Sequence, residues 1–276
     1  MKKKSRILLT LLLAAVFAVC TGLLLQQQRD NKGAGQSYSD ALAIARQAQT
    51  VPETREPTTA PTEAPQPRKI WIPAPVEDDP VVEELETLDL ETLREVNPEV
   101  IGWIRIPDTK IDYPILQGED NDYYLNHTWE GKTNSVGSIF MEYRNSADFT
   151  DYNTIVYGHN MNDGSMFANL KRYNTNWYWE RHPYVYILND DGVFRYEVFS
   201  GYETSTEGTA YGLSFNQAQT RATFSETALK KSTAYFEIRP AMTDRILTLS
   251  TCSGAGYSNR WVVHARLKMI PADSVG

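Results

Sequence analysis

The chain has 276 residues, with 27 Lys and Arg against 35 Asp and Glu and a formal net charge of −8. An acidic chain of this kind gives no ground for a nucleic-acid partner, which needs a basic stripe. Its length and its two cysteines, Cys20 and Cys252, describe a domain large enough to fold on one core without a disulfide framework.

Lys2, Lys3, Lys4 and Arg6 precede an uncharged, largely apolar run from Ile7 to Leu25. As a helix at about 1.5 Å per residue, that run comes close to the hydrocarbon thickness of a bilayer, and its positive flank stays cytoplasmic. A cleaved signal peptide has similar n- and h-regions, but no small-residue cleavage site follows the run. Val19 in front of Cys20 is bulkier than a lipoprotein signal uses. The expected organisation is a cytoplasmic tail at 1–6, a transmembrane signal anchor at 7–25, a spacer at 26–80 and an extracellular folded domain at 81–276. In the spacer Pro52, Pro57, Pro61, Pro65, Pro67, Pro73, Pro75 and Pro80 alternate with Thr, Glu and Ala. Such a composition predicts an extended, semi-rigid segment, with a transient helix over Asp40–Ala48.

The folded domain opens with Leu85, Leu88, Leu93 and Val96 at roughly helical spacing, and Pro98 stops the run. Beyond it the period moves toward two. Strands are predicted at Gly102–Ile106, Lys110–Leu116, Gly137–Met141, Asn153–Tyr157, Tyr184–Leu188, Val193–Gly201, Ala234–Ile238, Arg245–Thr251 and Trp261–Leu267. Two helices interrupt them, one over residues 163–173 with Asp163 as its cap and one over Asn216–Lys231. Many short strands with few helices predict a mainly β fold, a closed or nearly closed barrel.

Cys20 falls in the apolar run and Cys252 in the exported domain, so the two do not pair. An unpaired thiol in an exported domain is either an inert core residue or a group kept for its chemistry. Cys252 ends a β-branched strand and is followed by a Gly- and Ser-rich loop, after which Arg260 opens the next strand. If those strands are neighbours, thiol and guanidinium meet at one rim. There the cation favours thiolate and can meet a developing oxyanion. A thiol nucleophile needs a proton shuttle, and His127, His159, His182 and His264 compete for that role. His159 lies in a polar loop just past a strand end, where catalytic groups are displayed. His264 alternates in register with Arg260 and is its rival. Cysteines and histidines do not fall at zinc spacing, and no phosphate-binding glycine pattern follows a strand, so no metal or other cofactor is expected.

The segments "TLSTC" with the following Arg260, and "YGHNM" around His159, resemble the sortase signature. "NPEVIGWIRIPDTKIDYPILQGEDNDYYLNH" and "GSIFMEYRN" are similar to class B sortases, and the similarity spans roughly Leu85 to Leu267. It implies an eight-stranded sortase-type β-barrel with an N-terminal helical extension and a helix between two late strands, at Asn216–Lys231. It also selects His159 among the histidines. By this resemblance Cys252 attacks the Thr–Gly bond of a C-terminal sorting signal, Arg260 holds substrate and oxyanion, and His159 moves the proton. Asn121, Leu125, Ser250 and Thr251 match positions lining the signal-peptide groove. The implied partners are secreted proteins with such signals and the amine of a lipid II-type peptidoglycan precursor. A pilus-polymerising sortase and a thiol endopeptidase resolved by water are the alternatives. Ser253 and Gly254 follow the cysteine where some class B members carry an acidic residue, so no carboxylate stands at that position here.

Overall fold

The computed structural model describes residues 2–47, 71–76, 78–252 and 258–272. Helix α1 spans Lys2–Gln47, and α2 (Pro80–Glu86) and α3 (Leu90–Arg94) follow the short strand β1 (Trp71–Pro73). Asp79 and Asp89 cap α2 and α3, each accepting from a backbone amide two residues on, which is why one leucine-rich run breaks into two short helices.

Eight strands close a barrel in the order β2 (Val100–Arg105), β3 (Asp112–Leu116), β4 (Ile139–Met141), β5 (Asn153–Tyr157), β8 (Arg245–Cys252), β9 (Asn259–Leu267), β7 (Gly192–Ser205) and β6 (Tyr184–Asn189). The β3–β4 and β5–β8 pairs are parallel and the others antiparallel. The segment after Lys268 forms β10 (Met269–Pro271), which pairs with β1 as a separate ribbon. Trp103, Ile115, Val156, Val185, Val198, Leu247, Leu249 and Val263 belong to one buried cluster with faces of α1, α2 and α3. Helix α5 (Ala218–Lys231), between β7 and β8, covers a second cluster of Phe199, Tyr202, Phe224, Ile246 and Val262. This is the helix expected between two late strands.

Four expectations are revised. The apolar helix expected to stop at Leu25 runs on to Gln47, and Ala34, Tyr38, Ala41 and Ala45 on its far half are buried. That half therefore belongs to the folded unit; of the rest of the predicted spacer, 48–70 and 77 lie outside the described residues, and Trp71–Pro73 is not spacer but the strand β1 paired with β10. Ala234–Ile238 alternates buried and exposed as a strand does but joins no ladder. In a closed barrel every strand already has two neighbours, and the segment instead tucks Phe236 under Trp179. Residues 163–173 begin as a turn rather than a helix. Asp163 accepts from the Ser165 amide, Gly164 and Met166 have φ of +80° and +52°, and only Ala168–Asn174 coils, as a 3-10 helix. Finally, a further short helix, α4 (Asn176–Arg181), precedes β6.

Candidate active site

Along β8 the side chains alternate between two faces. Leu247 and Leu249 enter the barrel, and Thr248, Ser250 and Cys252 take the other side. In the antiparallel β8–β9 register Thr248 stands opposite His264, Ser250 opposite Val262 and Cys252 opposite Arg260. Thiol and guanidinium therefore leave the hairpin as a cross-strand pair on one face, at the end where the loop joins the two strands.

His159 reaches the same place through a different pairing. Parallel β5 sets Tyr157 beside Ser250, and the Gly158 amide donates to the Ser250 carbonyl at 3.1 Å, so residue 159 comes level with residue 252. A side chain at Gly158 would put its Cβ 2.5 Å from Ile139 Cδ1 and 2.8 Å from Phe167 Cγ, so the chain leaves β5 here only as glycine. His159 Nε2 lies 2.7 Å from the Leu125 carbonyl oxygen. A carbonyl only accepts, so Nε2 carries a proton and Nδ1 is left to face the thiol.

His159 and Cys252 are hydrogen-bonded to each other. That bond lowers the Cys252 pKa below the ordinary thiol range; burial opposes it, and the charges of Arg260 and His159 assist. The same bond raises His159, against burial, with help from the Leu125 carbonyl and against repulsion from Arg260. Both shifts favour a thiolate–imidazolium pair. His264 behaves oppositely. Fully buried, with Thr248 Oγ1 2.9 Å from Nδ1 and Tyr202 Oη 3.1 Å from Nε2, it is pushed by desolvation down to about 3 and stays neutral. His182 lies against the Pro107 carbonyl, and His127 stacks on Tyr123.

The pair opens into a groove of about 320 Å³ that all seven candidate residues line: Asn121, Leu125, His159, Ser250, Thr251, Cys252 and Arg260. Their engagement differs. Ser250 Oγ is 2.8 Å from the Tyr211 hydroxyl. Asn121 accepts from the Tyr143 amide and donates to Glu142, which fixes its amide plane and leaves one N–H spare. Thr251 pairs with Trp261 on the inner face, and its hydroxyl has no hydrogen-bond partner.

Sequence reasoning missed Glu142, which also lines the groove. It is only 1% exposed and accepts from Arg144 Nε at 2.6 Å, Asn121 Nδ2 at 2.7 Å and Tyr157 Oη at 3.0 Å. Burial pushes its carboxyl up, but these three donors outweigh burial and hold it below the ordinary range. A glutamate inside the apolar "SIFMEY" run was the available signal, because a buried charge demands partners. Among the described residues no three His, Cys, Asp or Glu side chains gather as metal ligands.

Residues 104–268 match the sortase domain. The chain belongs to the sortase family. Sortases are cysteine transpeptidases, and this one is similar to sortase B of Listeria monocytogenes, 41% identical over 59% of this chain and 67% of that protein. Sortase B of Staphylococcus aureus is 36% identical over 64% of this sortase and 73% of the relative. The solved Staphylococcus aureus sortase B–substrate complex superposes with a TM-score of 0.61 at 34% identity, covering 66% of this chain and 84% of that one. The eight-stranded barrel and its late helix are thus those of sortase B.

Proposed function

We propose that this sortase acts outside the cytoplasm, cleaves a C-terminal sorting signal between Thr and Gly, and joins the acyl group to a peptidoglycan amine. The observation that carries the reading is the hydrogen-bonded Cys252–His159 pair with Arg260 in register beside it. The Cys252 thiolate attacks the threonine carbonyl, and the oxygen that becomes negative lies toward the Arg260 guanidinium. As the tetrahedral centre collapses, the C–N bond breaks and His159 gives its proton to the departing glycine amine. A wall amine then attacks the thioester, His159 takes its proton, and amide and thiol are released. Binding of a peptide along Asn121, Leu125 and Ser250 is supported by the groove they line and by the substrate complex solved for the Staphylococcus aureus relative.

The anchor supports the location. Among the described residues one helix is long and apolar enough to cross a membrane, and its apolar window is wholly unburied. With lysines leading it, the N-terminus lies in the cytoplasm and the barrel outside.

The test uses the full-length chain with a Thr–Gly sorting peptide and a cell-wall amine. The wild type should give an amine-dependent product, and Cys252→Ala should give neither product nor covalent adduct by mass spectrometry. Since the thiol sits at a strand end, the variant should fold normally. An adduct that persists in Cys252→Ala, or a barrel that an impermeant label reaches only after cell lysis, would refute the reading.

A further inference from the structure

The far half of α1 docks beside the catalytic histidine. Trp129 Nε1 donates to the Ser37 carbonyl at 3.0 Å, Asn134 Nδ2 to the Asp30 carbonyl at 3.1 Å, and Ser37 Oγ to Glu130 at 2.7 Å. At the centre of this contact Tyr38 is buried, and its hydroxyl donates to the Gly137 carbonyl at 2.6 Å and lies 3.2 Å from Ser138 Oγ. Burial pushes the phenol far above its ordinary value, so it stays a donor at every working pH.

Gly137 is wedged against the proton-shuttle machinery. Its φ is +64°, and a Cβ there would stand 2.7 Å from the Leu125 carbonyl oxygen and 3.0 Å from His159 Cδ2. The Gly137 main chain thus backs both the imidazole and the carbonyl that accepts from it. Ser138 extends the brace, its amide donating to the Tyr124 carbonyl at 2.9 Å and its hydroxyl to the His127 carbonyl at 2.8 Å. The Tyr38 ring makes a second connection to the histidine. It meets Tyr113 edge-on at 5.1 Å, and the Tyr113 hydroxyl accepts from the Met166 amide at 3.1 Å. Met166 bridges to Asn160, and the Phe167 amide bonds the His159 carbonyl at 2.9 Å, closing the loop that carries the imidazole.

We propose that Tyr38, on the helix that leads out of the membrane, is a positioning residue for His159, holding the imidazole through Gly137. Docking of the anchor helix and alignment of the acid/base are then one event. The inference rests on reading His159 as the proton shuttle. A displaced imidazole loses its hold on the thiolate, so the consequence is chemical as well as structural.

The experiment takes the full-length chain in lipid vesicles and follows two readouts. One is the pH profile of Cys252 carbamidomethylation by iodoacetamide, read by mass spectrometry because Cys20 is a second thiol. The other is kcat and KM with the sorting peptide. Tyr38→Phe keeps the ring against Tyr113 and deletes only the hydroxyl. It should move the alkylation midpoint upward by about half a pH unit and cut kcat roughly 3–10-fold, with KM little changed. Ser37→Ala removes a hydrogen bond of the same helix to Glu130 without touching Gly137, and should leave the midpoint in place. A wild-type midpoint and kcat in Tyr38→Phe, or an equal shift in Ser37→Ala, overturns the positioning role. His159→Ala separates the two hypotheses. If it leaves the midpoint and kcat unmoved, the histidine assignment fails, and the role of Tyr38 fails with it.

Discussion

His159 and Cys252 shift each other in opposite directions, and the pair yields a prediction with a definite sign. In the wild type the thiolate is held by the His159 hydrogen bond first and the Arg260 charge second. Cys252 should therefore react with iodoacetamide well below the pH that an ordinary thiol requires. His159→Ala removes the larger influence and leaves burial opposed only by Arg260, so the midpoint should climb toward that of a free cysteine while turnover falls by at least ~10²-fold. His264→Gln should leave the midpoint where it is, because His264 is buried under α5, away from the groove, and carries no charge. The opposite ranking in folded variants would move the shuttle to His264. Cys252 and Arg260 were legible in the sequence because a hairpin sets its register locally, and a short loop returns the second strand beside the first. His159 was not legible by spacing. It meets Cys252 through the parallel β5–β8 pairing, a long-range contact with no periodic signature, so resemblance rather than physics selected it. Glu142 was missed for a related reason, since two of its three donors, Asn121 and Tyr157, lie well away from it along the chain.

At the scale of elements, local pattern held where the two faces of a strand differ and failed where closure or a cap decides. Asn153–Tyr157 came out as expected, and α5 began two residues late. The alternating Ala234–Ile238 segment found no strand partner because the barrel had already closed. The leucines at 85, 88 and 93 announced helix, but their division into α2 and α3 comes from Asp79 and Asp89. Asp79 does more than cap. Its Oδ1 accepts from the Val81 amide at 3.0 Å, and its Oδ2 accepts from Tyr186 Oη at 2.9 Å and Arg195 Nη1 at 3.0 Å, tying α2 to β6 and β7. Burial pushes its carboxyl up, and these donors together pull it below the ordinary range. Asp79→Ala should destabilise the domain by about 2–3 kcal/mol, a lost cap plus donors left without their acceptor. Asp79→Asn, which still caps, should lose less. Urea unfolding measures both, and equal losses would show that capping contributes nothing.

For the whole molecule, the described residues rearrange what composition proposed about distance from the membrane. Composition placed a long proline-rich rod between bilayer and barrel. Instead, α1 runs without a break from the apolar span into the docked half, and Tyr38 lies only about 20 Å of helix beyond Leu25. Composition could not reveal this, because residues 26–47 are polar overall and the buried apolar stripe is just Ala34, Tyr38, Ala41 and Ala45, flanked by buried Ser37 and partly buried Leu42 and Ile44. Ala45 is docked at one end of the proline-rich stretch, and Trp71, through β1 and β10, at the other. The 48–70 segment therefore joins two places on the same domain, and under the proposed orientation its length should not set the height of the barrel above the bilayer. Inserting about twenty Gly and Ser residues between Arg55 and Glu56 tests this. Roughly doubling such a loop costs only about 0.6 kcal/mol of closure entropy, so purified activity should change less than about twofold. Attachment of sorting-signal proteins to the wall of intact cells should be equally unaffected, since the barrel stays where α1 holds it. A helix-breaking insertion at Gln27–Gln28 should behave differently, freeing the docked half of α1 from the bilayer while Tyr38 remains against Gly137. Purified turnover would then persist, and attachment in cells would fall. If the loop insertion alone impaired attachment while purified activity held, the proline-rich segment would be the spacer after all, and α1 would not fix the enzyme above the membrane.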